Sequence, residues 1–327
     1  MPILLIVIFV LAFLFGGLNG YVDSSSMVAT VIASRALPPR LALGLSALAG
    51  FLGPFLFGTA VAATIGANLL VHNAITFPAL ISGVGAALLW NLLSSRLGIP
   101  SSSTHALIGG LLGAGLLSGG LAVVRAQGLV LALAALFASP PLGLLAGYLV
   151  MRATVRLSWD ASPRANDLFR WGQVLTVFAL ALVHGGNDGQ KSMGVMTLGL
   201  LISGGITSFH VPLWVVALSA LAMGTGSFFG AWRLIRTVGG GIMRIRPIHG
   251  FTALLGSAIV VLTASLAGGP VSSTQVLSTA IMGVGSAERL GKVHWEVGRD
   301  MLVSWALTIP ATAAVSAILS LTLRRFL

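Results

Sequence analysis

A chain of 327 residues that is 56% hydrophobic, with a mean hydropathy of +1.01, cannot surround itself with a solvated surface. Its 18 Lys and Arg and 7 Asp and Glu make up 8% of the residues, against about 25% in a soluble domain, so the chain is an integral membrane protein. The absence of cysteine excludes disulfides, thiol catalysis, iron–sulfur clusters and Cys-based zinc sites. The net charge of +11 is scattered in small groups between apolar runs, a placement that fits short cytoplasmic loops beside anionic lipid headgroups and gives nucleic acid no basic groove.

From the N-terminus, residues 1–22 carry no charge. The opening MPILLIVIFVLAFLFGG lacks a basic leader and a convincing small-x-small cleavage site, so it is expected to be a retained helix. Further charge-free runs cover 41–95, 97–124, 126–151, 171–187, 192–232, 247–287 and 301–323. One helical crossing needs about 20 apolar residues. The runs at 41–95, 192–232 and 247–287 therefore each hold two crossings, or a crossing and a re-entrant hairpin. The total is about 10–12 membrane elements. A barrel strand would alternate polar and apolar residues over about ten positions; this chain does not, and the predicted fold is all-α and polytopic. The polar stretch 152–170, with Arg152, Arg156, Arg164 and Arg170 against Asp160 and Asp167, is expected on the cytoplasmic side. It separates a first transmembrane repeat, 1–151, from a second, 171–327.

The halves are related. NGYVDSSSMVATVI (19–32) pairs with GGNDGQKSMGVMTL (185–198) on Asp23 and Asp188, 165 residues apart, and PSSSTH (100–105) pairs with PVSSTQ (270–275), 170 residues apart. Two motifs recurring in one order at one spacing indicate duplication. Duplicated apolar halves with polar, Gly- or Pro-interrupted segments point to a secondary transporter whose substrate and coupling ion meet near the midplane. The span count leaves open whether the repeats are parallel or inverted.

A carboxylate inside a membrane costs several kcal/mol by insertion scales, about 2.5–3.5, and a matched pair is a functional signal. Asp23 and Asp188 supply hard oxygens for Na⁺ or accept a coupling proton. Asn187 adds an amide oxygen, while Gly185, Gly186 and Gly189 let the backbone leave the helix and expose carbonyls. Ser101, Ser102, Ser103 and Thr104, like Ser272, Ser273 and Thr274, follow a proline at a helix start, where unpaired N–H groups and hydroxyls suit an anion. Two such ends facing each other would hold a tetrahedral oxyanion without a fixed counter-charge. Lys191 either pairs with Asp188 or touches the anion, and His105 and His184 flank the motifs as proton acceptors or buried hydrogen-bonding residues. Arg233, Arg236, Arg244 and Arg246 are expected in a cytoplasmic loop.

HGGNDGQKSMG (184–194) resembles the second-repeat signature of the inorganic phosphate transporter family; NGYVD (19–23) and VATVIASRAL (28–37) resemble its first. Residues 100–109 and 270–289 are similar to its serine-rich segments, as are WEVGR (295–299) and WALTIP (305–310) to its last helix. The resemblance covers about 16–315. It implies two inverted-topology repeats, two re-entrant helical hairpins carrying the serines, and symport of inorganic phosphate with Na⁺ or H⁺ in a multi-pass cell-membrane protein. It assigns the cation to Asp23, Asn187 and Asp188, and the anion to the Ser and Thr groups of 101–104 and 272–274; the neighbouring Ser26 is expected to join the cation set, and Gln190 and Lys191 the anion set. The chain departs from the family pattern: in the first half Ser26 stands where members commonly have Asn and Val22 matches Asn187, and in the second half Gln275 stands where many have His.

No cofactor beyond the coupling cation and no enzymatic activity are expected. The partners are phosphate or sulfate and membrane lipid, with no nucleic acid, and a homo-oligomer is compatible with this reading. Sulfate permeases of the same wider family are the nearest alternative. An intramembrane aspartyl protease using Asp23 and Asp188 is another, although the paired serine segments would then have no role; a passive anion channel is a third. Residues 185–192 mimic a phosphate loop, but Gln190 stands where Gly must precede Lys-Ser.

Overall fold

The computed structural model describes residues 2–98, 101–160, 162 and 165–324, apart from the Asn73 side chain; Pro100 and Arg164 lie outside the described residues. Every regular element among the described residues is helical: α1 (Pro2–Ala33), α2 (Pro39–Leu56), α3 (Ala60–Ala63), α4 (Phe77–Leu97), α5 (Ser103–Gly119), α6 (Ala126–Leu157), α7 (Ala165–Ile202), α8 (Leu213–Phe229), α9 (Trp232–Gly240), α10 (Pro247–Leu266), α11 (Ser273–Glu288) and α12 (Trp295–Leu323), with short 3₁₀ and π turns between some of them. Among the described residues eight helical segments are long and apolar enough to cross a membrane, or nine if α8 and α9, bent by 71°, count as one broken span. That is fewer than the 10–12 membrane elements expected from the charge gaps: α3, of four residues, and α11, of 16, are too short to count as crossings. The polar stretch 152–170 is mostly helical, because α6 continues to Leu157 and α7 begins at Ala165.

Prolines mark the helix starts: Pro39 and Pro247 occupy the first turn, where no intrahelical N–H is needed. Pro140 and Pro141 lie inside α6 and Pro310 inside α12. The six helices of each half correspond in order, and so do their contacts. α1 packs on α8 as α2 packs on α7; α5 packs on α12 as α11 packs on α6; α1 packs on α4 as α7 packs on α10. The halves interlock instead of standing side by side. Glycine permits the close crossings: Gly53 lies against the Leu182 carbonyl and the Gly186 amide, and Gly226 against the Gly17 carbonyl, where a Cβ would strike backbone.

Equivalent helices run antiparallel. Along α1 and α7, Asp23 meets Asp188, Gly16 meets Ser192 and Ile8 meets Gly199. Along α2 and α8, Leu43 meets Gly230 and Gly50 meets Ser227. Each half also folds one hairpin, α4–α5 and α10–α11, closed at its base by the same device: Val71 N–H donates to the Val123 carbonyl at 2.8 Å, and His294 N–H to the Ile242 carbonyl at 2.9 Å. The chain thus enters and leaves each hairpin at one end. The tips, at the starts of α5 and α11, are buried.

Candidate functional site

Where the tips meet, Thr104 Oγ1 donates to the Val271 carbonyl at 3.0 Å, and Gln275 Nε2 lies 3.5 Å from His105 Nδ1. Positions 105 and 275 are the last residues of the two paired serine motifs. α1 and α7 pass beside it and present Asp23 and Asp188. One ligand atom each from Asp23, His184 and Asp188 can be chosen so that all lie within 4.8 Å of one another. Asp23, Ser103, Thr104, Asp188, Lys191, Ser273 and Thr274 are each 4% exposed or less, so the site is closed to solvent.

The hydroxyls divide their work. Asp23 accepts from Ser103 at 3.4 Å and from Thr274, one hydroxyl from each tip. Ser273 Oγ lies 2.7 Å from His184 Nδ1. Ser102 caps α5, accepting from the His105 amide at 3.2 Å, and its hydroxyl lies 2.6 Å from His105 Nδ1. Ser101 donates to Ser94 at 2.7 Å, within its own hairpin. Ser272 holds the N-cap position of α11 without a side-chain capping bond.

The cation candidates have free acceptors. Asn187 Nδ2 donates to Ser265 at 2.7 Å and to the Gly269 carbonyl at 3.3 Å, which fixes the amide and leaves Oδ1 without a protein partner. Asp188 Oδ2 also lacks a hydrogen bond, as does the buried Ser26 Oγ. Desolvated oxygens aimed inward are the donor set for a hard monovalent cation, and without a ligand each costs about 1–3 kcal/mol.

Three expectations change. α1 and α7 run unbroken through the motifs, so Gly185, Gly186 and Gly189 expose no carbonyls; they admit Gly50 and Pro54 of α2 and Phe57 just after it. Lys191 Nζ bonds Thr104 at 2.5 Å, Asp188 Oδ1 at 2.6 Å and the Val271 carbonyl at 3.0 Å. An ammonium has three donors; all are engaged and none remains for an anion in this closed form.

Gln190 does not reach the serine tips. Its Oε1 accepts from the amides of Val61 at 2.8 Å and Ala62 at 3.3 Å, at the start of α3, where the N-cap Thr59 makes no side-chain bond. Ser25, its counterpart in the first half, accepts from the Ala231 amide at the start of α9. The duplication repeats a structural brace. Gln190→Leu leaves two buried amides unpaired and is expected to lower stability by about 1–3 kcal/mol per amide, with a lower melting temperature and phosphate affinity changed less than twofold. A variant that melts like wild type would return Gln190 to the substrate.

Sequence reasoning overlooked Ser265, Gly269 and Val271. Ser265 carries a signal, since it repeats Ser95 at the 170-residue offset; the two glycine and valine carbonyls carry none.

Comparison with known proteins gives a consistent outcome. The model of the phosphate transporter family matches residues 19–162 and again 155–316. A probable low-affinity inorganic phosphate transporter of Rhizobium meliloti (strain 1021) is 37% identical over 96% of this chain and 95% of its own. One of Bacillus subtilis (strain 168) is 36% identical over 97% and 96%, and one of Mycobacterium bovis is 40% identical over 96% and 76%. Among solved structures, one described as the sodium-dependent phosphate transporter matches all of this chain and all of its own with a TM-score of 0.90 at 24% identity, a shared fold.

Proposed function

The chain belongs to the phosphate transporter family, and we propose that it is a symporter moving inorganic phosphate together with Na⁺, by alternating access around the point where its two halves meet. The observation that carries this reading is the convergence of one carboxylate from each half, Asp23 and Asp188, on the hydroxyl-bearing tips of α5 and α11. In this reading Asp23, Asp188, Asn187 and Ser26 supply oxygens to the cation. The hydroxyls of Ser103, Thr104, Ser273 and Thr274, with the helix N-termini behind them, replace the hydration of the anion.

Coupling follows from the bonding of Asp23. Its carboxylate engages a hydroxyl from each tip, which are donors that an anion would need. A cation drawn to the carboxylate competes for its oxygens and frees those donors, so cation binding raises anion affinity and the reverse. Proteoliposomes test the proposal by uptake of ³²P-phosphate under an imposed Na⁺ or H⁺ gradient, with ³⁵S-sulfate in parallel. Phosphate accumulation driven by Na⁺ is the expected result. Accumulation driven only by a proton gradient would reassign the coupling ion, preferential sulfate entry the substrate, and no entry of either anion would end the symport reading.

A further inference from the structure

Exchange of the two halves sends Asp188 to Asp23, Thr104 to Thr274 and Lys191 to Ser26, at offsets of 165 and 170 residues. The contacts follow. In the second half a carboxylate and a hydroxyl from the opposite hairpin, Asp188 and Thr104, meet at the Lys191 ammonium, joined by the Val271 carbonyl. In the first half the same pair, Asp23 and Thr274, bond each other directly, and the residue at the lysine position is a serine with a buried, partnerless hydroxyl. Carboxylate, hydroxyl and carbonyl at 2.5–3.0 Å form a shell of hard oxygens that suits a small cation, yet around Lys191 the cation is part of the chain.

Charge separates the two positions. Asp188 has its counter-charge built in. Among the described residues Asp23 has no cationic side chain within 4.0 Å and accepts only from hydroxyls. A buried carboxylate needs a cation or a proton, and Ser26 brings neither. With both aspartates ionised and Lys191 protonated the cluster carries one net negative charge, which a single mobile cation cancels.

We propose that the Lys191 ammonium is a tethered cation, standing permanently in one of two cation positions related by the exchange of halves and leaving the Asp23–Ser26–Thr274 position as the one that takes a mobile ion. The inference rests on the symport reading and sets its stoichiometry: one coupling cation fewer per phosphate than a site with both positions free. Lys191→Ser copies the first half onto the second and opens the filled position. Ser26→Lys copies the second half onto the first and fills the open one.

The test is the Na⁺ or H⁺ gradient at which net ³²P-phosphate flux across proteoliposomes reverses, since that gradient reports cations carried per phosphate. Lys191→Ser is expected to carry one cation more than wild type, and Ser26→Lys one fewer. Reversal of Lys191→Ser at the wild-type gradient overturns the inference. Should that variant carry no phosphate, ²²Na⁺ bound to the detergent-purified protein decides: one more ion per chain than wild type, with a melting temperature that rises more steeply with Na⁺, supports the tethered cation, and an equal count overturns it. Wild type that moves no phosphate under either gradient sinks the symport reading instead, while the ²²Na⁺ comparison still judges Lys191.

Discussion

Asp23→Asn is expected to reduce gradient-driven phosphate uptake by about a hundredfold or more while leaving the purified protein as stable as wild type, or more so. The two effects separate because of what surrounds this carboxylate. Removing one member of a buried charge contact costs about 2–5 kcal/mol, and about 2.8 kcal/mol is already a hundredfold in an equilibrium constant. The charge that Asp23 would meet belongs to the mobile ion, so the loss falls on binding. Among the described residues Asp23 accepts from the hydroxyls of Ser103 and Thr274, and an amide oxygen accepts from hydroxyls too. Taking an unpaired charge out of a buried site removes a desolvation cost. Uptake of ³²P-phosphate and the melting temperature, measured on one preparation, check both halves; uptake at the wild-type rate would remove Asp23 from the cation site.

The same asymmetry marks what could be read from the sequence. The positions of Asp23 and Asp188 are legible because duplication made them a pair, and a charge is conspicuous in a chain where charges are 8% of residues. The serine segments are legible for a similar reason, as proline-led polar runs between apolar ones. The roles of Gln190 and Lys191 are not. Each sits within a motif that looks like substrate chemistry, yet what a side chain touches depends on which elements are folded against it. Gln190 faces the start of α3, some 130 residues earlier in the chain, and Lys191 faces a tip contributed jointly by α5 and the segment before α11. Backbone acceptors such as the Val271 carbonyl leave no trace in residue type. The continuous course of α7 through Gly185, Gly186 and Gly189 defeats the expectation of unwinding, since glycine serves close packing as readily as a break.

Asp188→Asn is expected to behave differently from Asp23→Asn, although the two acids are equivalent by duplication. Transport is lost in both. In Asp188→Asn the fold suffers as well, because Lys191 stays buried, 0% exposed, with its ammonium facing a neutral amide. Breaking a buried ion pair by removing one partner costs about 3–5 kcal/mol, whereas replacing both partners with groups of similar volume is often neutral. The double variant Asp188→Asn with Lys191→Met therefore melts close to wild type, well above Asp188→Asn alone, and still fails to accumulate phosphate because it lacks the carboxylate. A cycle of melting temperatures over wild type, both single variants and the double variant measures this coupling. If the double variant is no more stable than Asp188→Asn, the ammonium does not depend on Asp188 for its counter-charge, and the contact between them is incidental to the site. If it recovers, stability at this point belongs to the pair and transport belongs to the acid, which is the division of labour expected where one cation is part of the chain and the other arrives from solution.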